Sequence, residues 1–463
     1  MQDINISEIV NFPNKEKAKF KELVDTFNTH RTKNAEKNRY YEGNITLNEV
    51  NLGIALPDGL KNLEIGSSWG AKTVDVLAGR SMFDGFVGIN GETDTEMDEI
   101  AEMNHLVDEY IKACRDELKL GCVFATLTDS DDGVKIRWHS PLTAAAKWDG
   151  EKGRVAYGFA IIDTAPDNDH NWAPSIINYY TDDCIWVLTK NGSIWTAEPH
   201  DQKMGRPLME ALIWNATSDK PFGRSRIKEP IRRLIQGYVR TVANATIGLE
   251  FSTAPQKYLL GVTDEQFDAL VNNKFKQYVG SILTSTNNPD TGEKPSFGQL
   301  PQGSITPHVE MLRMLATQFS AATGLTVTDT GVVNDANPTS SDAILAQSQT
   351  LVATAQQLNV SNAIGLRNIA LMAIAITHNV SLDELTEDQK AIVAHFKNPA
   401  MPSVAVTADA AIKIASARQG FSDTDVFLEM LGFDKADIRR IKNQEGRSRG
   451  MALVESIANG DNQ

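Results

Sequence analysis

The hydrophobic pattern opens with an amphipathic helix in a charged segment, residues 15–42. Apolar side chains recur there three or four positions apart, at Phe20, Leu23, Val24 and Phe27. The helix is expected to stop where Gly43 or Asn44 can adopt a left-handed conformation. The same spacing predicts two further helices, at residues 67–80 and 94–120.

Runs of β-branched and aromatic residues follow, separated by turn dipeptides. The predicted strands are residues 122–128, 134–139, 155–163, 176–181, 185–189 and 193–196. Asp132-Gly133 and Asn191-Gly192 are typical of hairpin turns. The stretch from Asp129 to Gly133 resembles a calcium loop, but it lacks the later bidentate acid, so a hairpin turn is preferred. Residues 1–215 are therefore predicted to form a mixed α+β domain.

The pattern becomes helical after Pro221-Phe222-Gly223. Apolar residues from Ile227 to Leu249 predict a helix whose straight part begins near Ile231, because Pro230 cannot sit deep inside a helix. A small inserted module is expected at residues 254–306, with a polar turn at 287–292. A short helix at 307–323 stops at Gly324.

A loop without periodicity, residues 325–341, precedes a long helix over 340–377. A bend is expected at residues 359–365, where asparagine and glycine are poor helix formers. The tail, residues 382–460, is predicted to be several helices, one of them opened by a capping box of Ser422 and Asp425 and ended at Gly432.

The long helix lacks Asp, Glu, Lys and Arg from Ala343 to Leu366. It is nevertheless too polar for lipid, because it contains several glutamine and asparagine residues. We therefore expect it to be covered by protein on most sides.

Composition predicts a folded protein of two to four units: the chain has 463 residues, of which 41% are hydrophobic and 23% charged. The net charge of −15 argues against a protein that grips nucleic acid by neutralising phosphates. The N-terminus has neither a basic start nor an apolar stretch, and the most apolar run, residues 369–376, is short. No signal peptide and no membrane span are expected.

The sequence contains no pattern typical of catalysis. It has no phosphate-binding loop of the Gly-x-x-x-x-Gly-Lys type, no Gly-x-Ser-x-Gly elbow, and eight scattered histidines. Cys114, Cys122 and Cys184 show no metal-ligand spacing, so buried free thiols are expected and no cofactor is assigned. A basic cluster is interpreted as a solvated or subunit-bridging face: Arg224, Arg226, Lys228, Arg232, Arg233 and Arg240.

Three motifs occur in a recognisable order. They are Tyr40-Tyr41-Glu42-Gly43 at the end of the first helix, Pro221-Phe222-Gly223-Arg224-Ser225 before the second long helix, and Asn337-Pro338 followed by Ser340-Ser341-Asp342-Ala343-Ile344 at the start of the third. This order resembles the portal, or head-to-tail connector, family of siphophage-type tailed phages. The resemblance covers most of the chain.

The resemblance implies an α+β, portal-type fold with a mixed α/β wing, a two-helix stem, a small α/β clip, a long kinked tunnel helix and a helical crown. The implied boundaries are wing 1–224, stem helix 225–251, clip 252–305, second stem helix 306–324, tunnel loop 325–339, long helix 340–379 and crown 380–463.

The resemblance also implies site residues. In the tunnel loop, contacts to DNA are expected from Thr326, Thr328, Asp329, Asn334 and Asn337. The subunit interface of the stem is assigned to Arg232, Arg233, Gln236 and Arg240. Adaptor docking on the clip is assigned to Lys274, Lys276, Asn287, Asn288, Asp290 and Lys294.

The implied assembly is a ring of twelve subunits at one capsid vertex, formed in the host cytoplasm. Implied partners are double-stranded DNA passing without sequence specificity, the terminase, a head-tail adaptor, and the major capsid protein, with a scaffolding protein as a further candidate. The predominantly negative charge suits weak contact with phosphates, and the uncharged long helix suits packing between subunits. Two alternatives stay open: another head-tail structural protein, such as an adaptor or capsid component, and an α+β enzyme.

Overall fold

The computed structural model describes residues 4–46, 65–88, 96–166, 172–253, 257–260, 292, 294, 296–299, 304–332, 341–400, 404–433, 437–438, 440–448 and 451. The chain divides into two compact units, Met1–Pro399 and Ala400–Gln463.

The first helix, α1 (Asn14–Glu42), has the predicted amphipathic stripe, and its four apolar residues are buried. It ends as expected at Gly43, whose φ of 77° is left-handed and whose N–H donates to the carbonyl of Arg39. The next elements are α2 (Trp69–Ala78) and β1 (Phe83–Val87).

The single helix predicted for residues 94–120 is wrong. Two helices occupy this segment, α3 (Glu96–Met103) and α4 (Leu106–Leu120). Asn104 separates them because its side-chain amide donates to the carbonyl of Val134 and accepts from the N–H of Ile136, both at 2.8 Å. His105, with a φ of 48°, then redirects the chain.

Eight strands of the first unit form two antiparallel sheets. The three-stranded sheet has β2 (Cys122–Thr128) between β3 (Lys135–His139) and β9 (Met209–Ile213). The five-stranded sheet is a meander of β4 (Ala144–Asp149), β5 (Arg154–Pro166), β6 (Trp172–Tyr180), β7 (Cys184–Asn191) and β8 (Ile194–Asp201). All six predicted strands are present, and both predicted hairpin turns join the expected pairs.

Two hydrophobic clusters hold these layers together. In the smaller one, α1 packs on the five-stranded sheet through aromatic rings, with Phe20 lying 5.6 Å from both Phe159 and Tyr179 between centroids. The larger cluster joins α2 and α4 to the three-stranded sheet and to three later helices.

Two of those helices are α5 (Glu229–Thr253) and α6 (Thr306–Thr323), with β10 (Lys257–Leu260) and β11 (Ser296–Gln299) paired antiparallel between them in the chain. Pro230 is the second residue of α5, where its missing N–H costs nothing. Arg226, just before α5, donates to the carbonyl of Thr323 at the end of α6. Further along α5, Gly237 lies against Leu315, which is earlier in α6. The two helices therefore run antiparallel.

The long helix is α7 (Ser341–His378). From residue 365 to residue 376 no side chain is exposed and most are buried, and the helix packs on β9, where Gly365 leaves room for the side chain of Leu212. The bend expected at residues 359–365 stays a prediction. Over Ser348–His378 the helix is long and apolar enough to cross a membrane, but just over half of that window is buried inside the protein, as in a core helix.

The prediction of an entirely helical tail is wrong at its start. After the short helix α8 (Glu387–Lys390), β12 (Val393–Phe396) pairs antiparallel with β1, which lies some 300 positions earlier in the chain. The run Ile392-Val393-Ala394-His395-Phe396 has the β-branched and aromatic composition of a strand.

In the second unit, the described elements include α9 (Val404–Ala417) and α10 (Asp425–Met430). The N-cap of α10 is Thr424, whose hydroxyl accepts from the N–H of Phe427, and not the predicted Ser422, which lies in a preceding 3-10 turn. Gly432, with a φ of 91°, follows the helix as expected.

Candidate functional site

The first part of the predicted tunnel loop is a compact turn after α6. Gly324 ends α6 with a φ of 74°, and Leu325 is buried. The carboxylate of Asp329 accepts from both the N–H and the hydroxyl of Thr326, at 2.9 and 2.8 Å. Thr328 is exposed. The remaining two loop residues of the predicted contact set, Asn334 and Asn337, lie outside the described residues.

This turn is attached to α2 by two hydrogen bonds. The indole N–H of Trp69 donates to the carbonyl of Thr330 at 3.1 Å, and the ammonium of Lys72 donates to the carbonyl of Asp329. Since both donors lie on α2, which packs in the larger hydrophobic cluster, the backbone of the turn is fixed relative to the core.

Trp69 also joins the two antiparallel helices. Its ring stacks on Phe319 of α6 and lies against Tyr238 of α5, with centroid distances of 4.5 Å in both cases. The residue is buried. Sequence reasoning missed it, although Ser67-Ser68 followed by Trp69-Gly70 is a visible helix start. A glycine at 70 is required because a Cβ there would lie 1.9 Å from the carbonyl oxygen of Tyr40.

Arg226 corrects the interpretation of the basic cluster, because it is buried and does not lie on a solvated face. Its guanidinium donates to the carbonyls of Thr73 in α2 and Thr323 at the end of α6, at 2.7 and 2.8 Å. The Thr323 carbonyl is one of the last in its helix and needs such a donor. Burial lowers the pKa of Arg226 to about 10, so it remains charged at neutral pH.

Most of the predicted stem residues make contacts inside the subunit. Arg232 pairs with Glu36 and Glu229, both at 2.5 Å, and lies over the ring of Tyr40. Gln236 donates to the hydroxyl of Tyr40.

The two other residues predicted for the stem are more peripheral. Arg233 is exposed and pairs with Glu229 at 2.8 Å. Arg240 is half-buried. Their role between subunits stays a prediction.

The residues predicted to form the adaptor-docking site of a clip lie mainly outside the part of the chain that the structure describes. Only Lys294 is described, and it is exposed two positions before β11. The other five, Lys274, Lys276, Asn287, Asn288 and Asp290, lie outside the described residues.

A buried polar network links α7 to α4. The amide of Asn362 donates to Glu117 at 2.7 Å and to the hydroxyl of Tyr110 at 3.0 Å. Tyr110 is bonded in turn to Ser81, which donates to Asn359 at 2.6 Å. Burial raises the pKa of the Glu117 carboxyl to about 8, which leaves it mainly protonated at neutral pH. The two asparagines that predicted a bend therefore have a structural role.

Within the described residues, no group of three or more His, Cys, Asp or Glu side chains is arranged to hold a metal ion. The three cysteines are free and buried, as predicted.

Comparison with known proteins gives the family. The model of phage portal proteins of the SPP1 Gp6-like type matches residues 21–450. The chain belongs to this family, which confirms the resemblance. It is a structural protein of phage-type virions and not an enzyme. No curated protein matches the chain.

Three solved structures from gene transfer agent (GTA) particles are similar to the chain over most of its length. A chain from the virion of a native particle has 12% identity and a TM-score of 0.45, with 79% of this chain and 89% of that chain covered. A chain from the neck of an empty particle, computed with C6 symmetry, has 12% identity and a TM-score of 0.46, with coverages of 80% and 90%. A chain from the neck of a native particle, computed with C12 symmetry, has 13% identity and a TM-score of 0.43, with coverages of 79% and 89%.

Proposed function

We propose that this chain forms a closed ring of twelve copies at one capsid vertex, which provides the channel for DNA packaging and ejection. The observation that carries the proposal is the portal-family match over residues 21–450. Portal proteins act at the opening through which DNA passes, and a head-to-tail interface that closes by rotation produces such a ring.

The arrangement around Trp69 supports a division of labour within each subunit. The antiparallel pair α5 and α6 would be the stem, and the module between them in the chain would be the clip, where the terminase and later the head-tail adaptor dock. The turn held by α2 would begin the tunnel loop. The α+β region before α5 would be the wing and contact the major capsid protein.

Electron microscopy of the purified protein tests the ring. Particles with a central hole and a mass of about 610 kDa are expected for twelve copies of a 50.8 kDa chain. A stable monomer or dimer at micromolar concentration in several salt conditions would contradict the proposal.

The DNA contact is proposed for the exposed hydroxyl of Thr328 together with Asn334 and Asn337. Uncharged side chains offer hydrogen bonds that water readily replaces, whereas lysine would hold phosphate electrostatically.

The double variant Asn334→Lys/Asn337→Lys should therefore assemble normally but package less DNA, with the largest deficit at low salt. Packaged length is measured after nuclease treatment of filled particles. Ser193→Lys, at an exposed position in the turn between β7 and β8, serves as a control. Full-length packaging by the double variant at all salt concentrations would exclude this contact.

A further inference from the structure

The long helix α7 has an exposed side without charge. Ala353, Gln357, Val360 and Ile364 are exposed and follow one another at steps of four, three and four residues, so they form one seam along the helix. Val360 and Ile364 are 68% and 64% exposed. On the opposite side of α7, Leu358 and Leu366 are fully buried.

A groove of about 880 Å³ adjoins the C-terminal end of this seam. Ile364 forms part of its wall together with the apolar Trp148 and Phe222, and the rest of the lining is mixed, with polar residues and the charged Glu22, Lys147 and Glu210. The seam therefore continues into a depression shaped to receive side chains from another surface.

The absence of charge argues against DNA as the binding partner of this surface. Ala343 to Leu366 contains no Lys or Arg, so the seam has no group that could neutralise the phosphates of DNA. In a chain of which 23% is charged, a solvated helix face of this length would be expected to carry both signs of charge. Surfaces that become desolvated on association are, in contrast, depleted of charge at their centre.

The proposed ring makes a second copy of the chain the occupant, because each subunit of a closed ring must bury surface against its neighbours. The net charge of −15 then limits where that contact can be. Copies with this charge repel one another, so they can approach closely only where charge is absent or complementary. The α7 seam is such a region, and its spacing is the one by which helices pack along their length.

We infer that the seam of Ala353, Gln357, Val360 and Ile364, together with the adjoining groove, is a contact surface for the neighbouring subunit of the ring. This inference rests on the proposed ring. It concerns one named surface of the subunit, which a variant can disrupt without altering the buried core.

The variant Val360→Asp/Ile364→Asp tests it. Both side chains are exposed, so the folded subunit should keep its circular dichroism spectrum and thermal midpoint. In the ring, each aspartate would be desolvated, and the fraction assembled at micromolar concentration should fall at least about ten-fold. Ile194→Asp, on the exposed end of β8, is the matched control and should assemble like the wild type. Mass photometry measures the distribution.

A photo-cross-linking amino acid at position 364 provides an independent measurement, and it should give covalent dimers within assembled particles. The two proposals fail differently. If the wild type forms rings and the double aspartate variant forms them equally well, or position 364 cross-links only to a different protein, the interface assignment is overturned while the ring stands. If the wild type stays monomeric, both are overturned.

Discussion

At the scale of single residues, the most informative side chain is Glu117, which is fully buried with Asn362 as its hydrogen-bond donor. A carboxyl group in this position is retained only because it can remain protonated. The pKa values of its neighbours Tyr110 and Cys114 are also raised by burial, so neither ionises near neutral pH. Glu117 is thus the group of this network that titrates in the physiological range.

The substitution Glu117→Gln should remove the contribution of this carboxyl to the pH dependence of the free energy of unfolding. The folded-state pKa of about 8 lies above the unfolded value, so the folded protein binds the proton more strongly and loses stability as pH rises from about 5 to 8. The limiting slope for one such group is about 1.4 kcal/mol per pH unit. Thermal midpoints between pH 5.5 and 8 should show the wild type falling relative to the variant. Glu109→Gln, on the surface of α4, should leave the slope unchanged; equal slopes in all three proteins would contradict the assignment.

Two glycines give a second comparison at this scale. A Cβ at Gly70 would overlap the backbone of Tyr40, whereas a Cβ at Gly248 in α5 would meet no atom within 4 Å. Gly70→Ala should therefore destabilise the protein by about 3 kcal/mol through forced separation of α1 and α2. Gly248→Ala should stabilise it by about 0.5–1 kcal/mol, because alanine is the better helix former. Chemical denaturation distinguishes the two, and a stable Gly70→Ala protein would show that α2 is free to move.

At the scale of elements, the arrangement depends on α2, a helix of only ten residues. Trp69 contacts α5, α6 and the following turn, while Arg226 bonds α2 to the end of α6. The position of the proposed stem and the start of the proposed loop are therefore set by the same short helix.

Trp69→Ala should destabilise this junction by about 3–5 kcal/mol, since a fully buried aromatic ring and one hydrogen bond are lost. Protease cleavage within residues 324–332 should accelerate, because the turn loses its attachment. Trp172→Ala is a matched control, as that tryptophan is 74% exposed on β6 and should change the midpoint little. Equal effects of the two substitutions would show that the junction does not depend on the Trp69 ring.

At the scale of the whole molecule, charge should govern assembly. Twelve copies at −15 each would place about 180 negative charges in one ring, so neighbouring subunits repel at long range. Raising NaCl from about 20 to 300 mM shortens the screening length and should increase the assembled fraction. Light scattering at fixed protein concentration measures this. Dissociation of rings by salt would instead indicate that charge pairs hold the subunits together.

The sequence by itself determined the elements whose signals are local. The stripe of α1, the hairpins at Gly133 and Gly192, and the limits of α5, α6 and α7 follow from periodicity and turn chemistry, and the motif order indicated the family. Strands β4 and β9 were missed because Ala-Ala-Ala-Lys-Trp-Asp and Met-Glu-Ala-Leu-Ile are not strand-like in composition.

Only the tertiary structure decided the contacts between segments far apart in the chain. The pairing of β12 with β1, the burial of Arg226, the junction at Trp69 and the protonated Glu117 each depend on which distant groups meet. Local secondary-structure propensity carries no information about such long-range contacts, because burial and hydrogen-bond partners are set by the packing of the whole unit. The exposed seam of α7 is of the same kind: its lack of charge is visible in the sequence, but which residues face outward is decided by the fold.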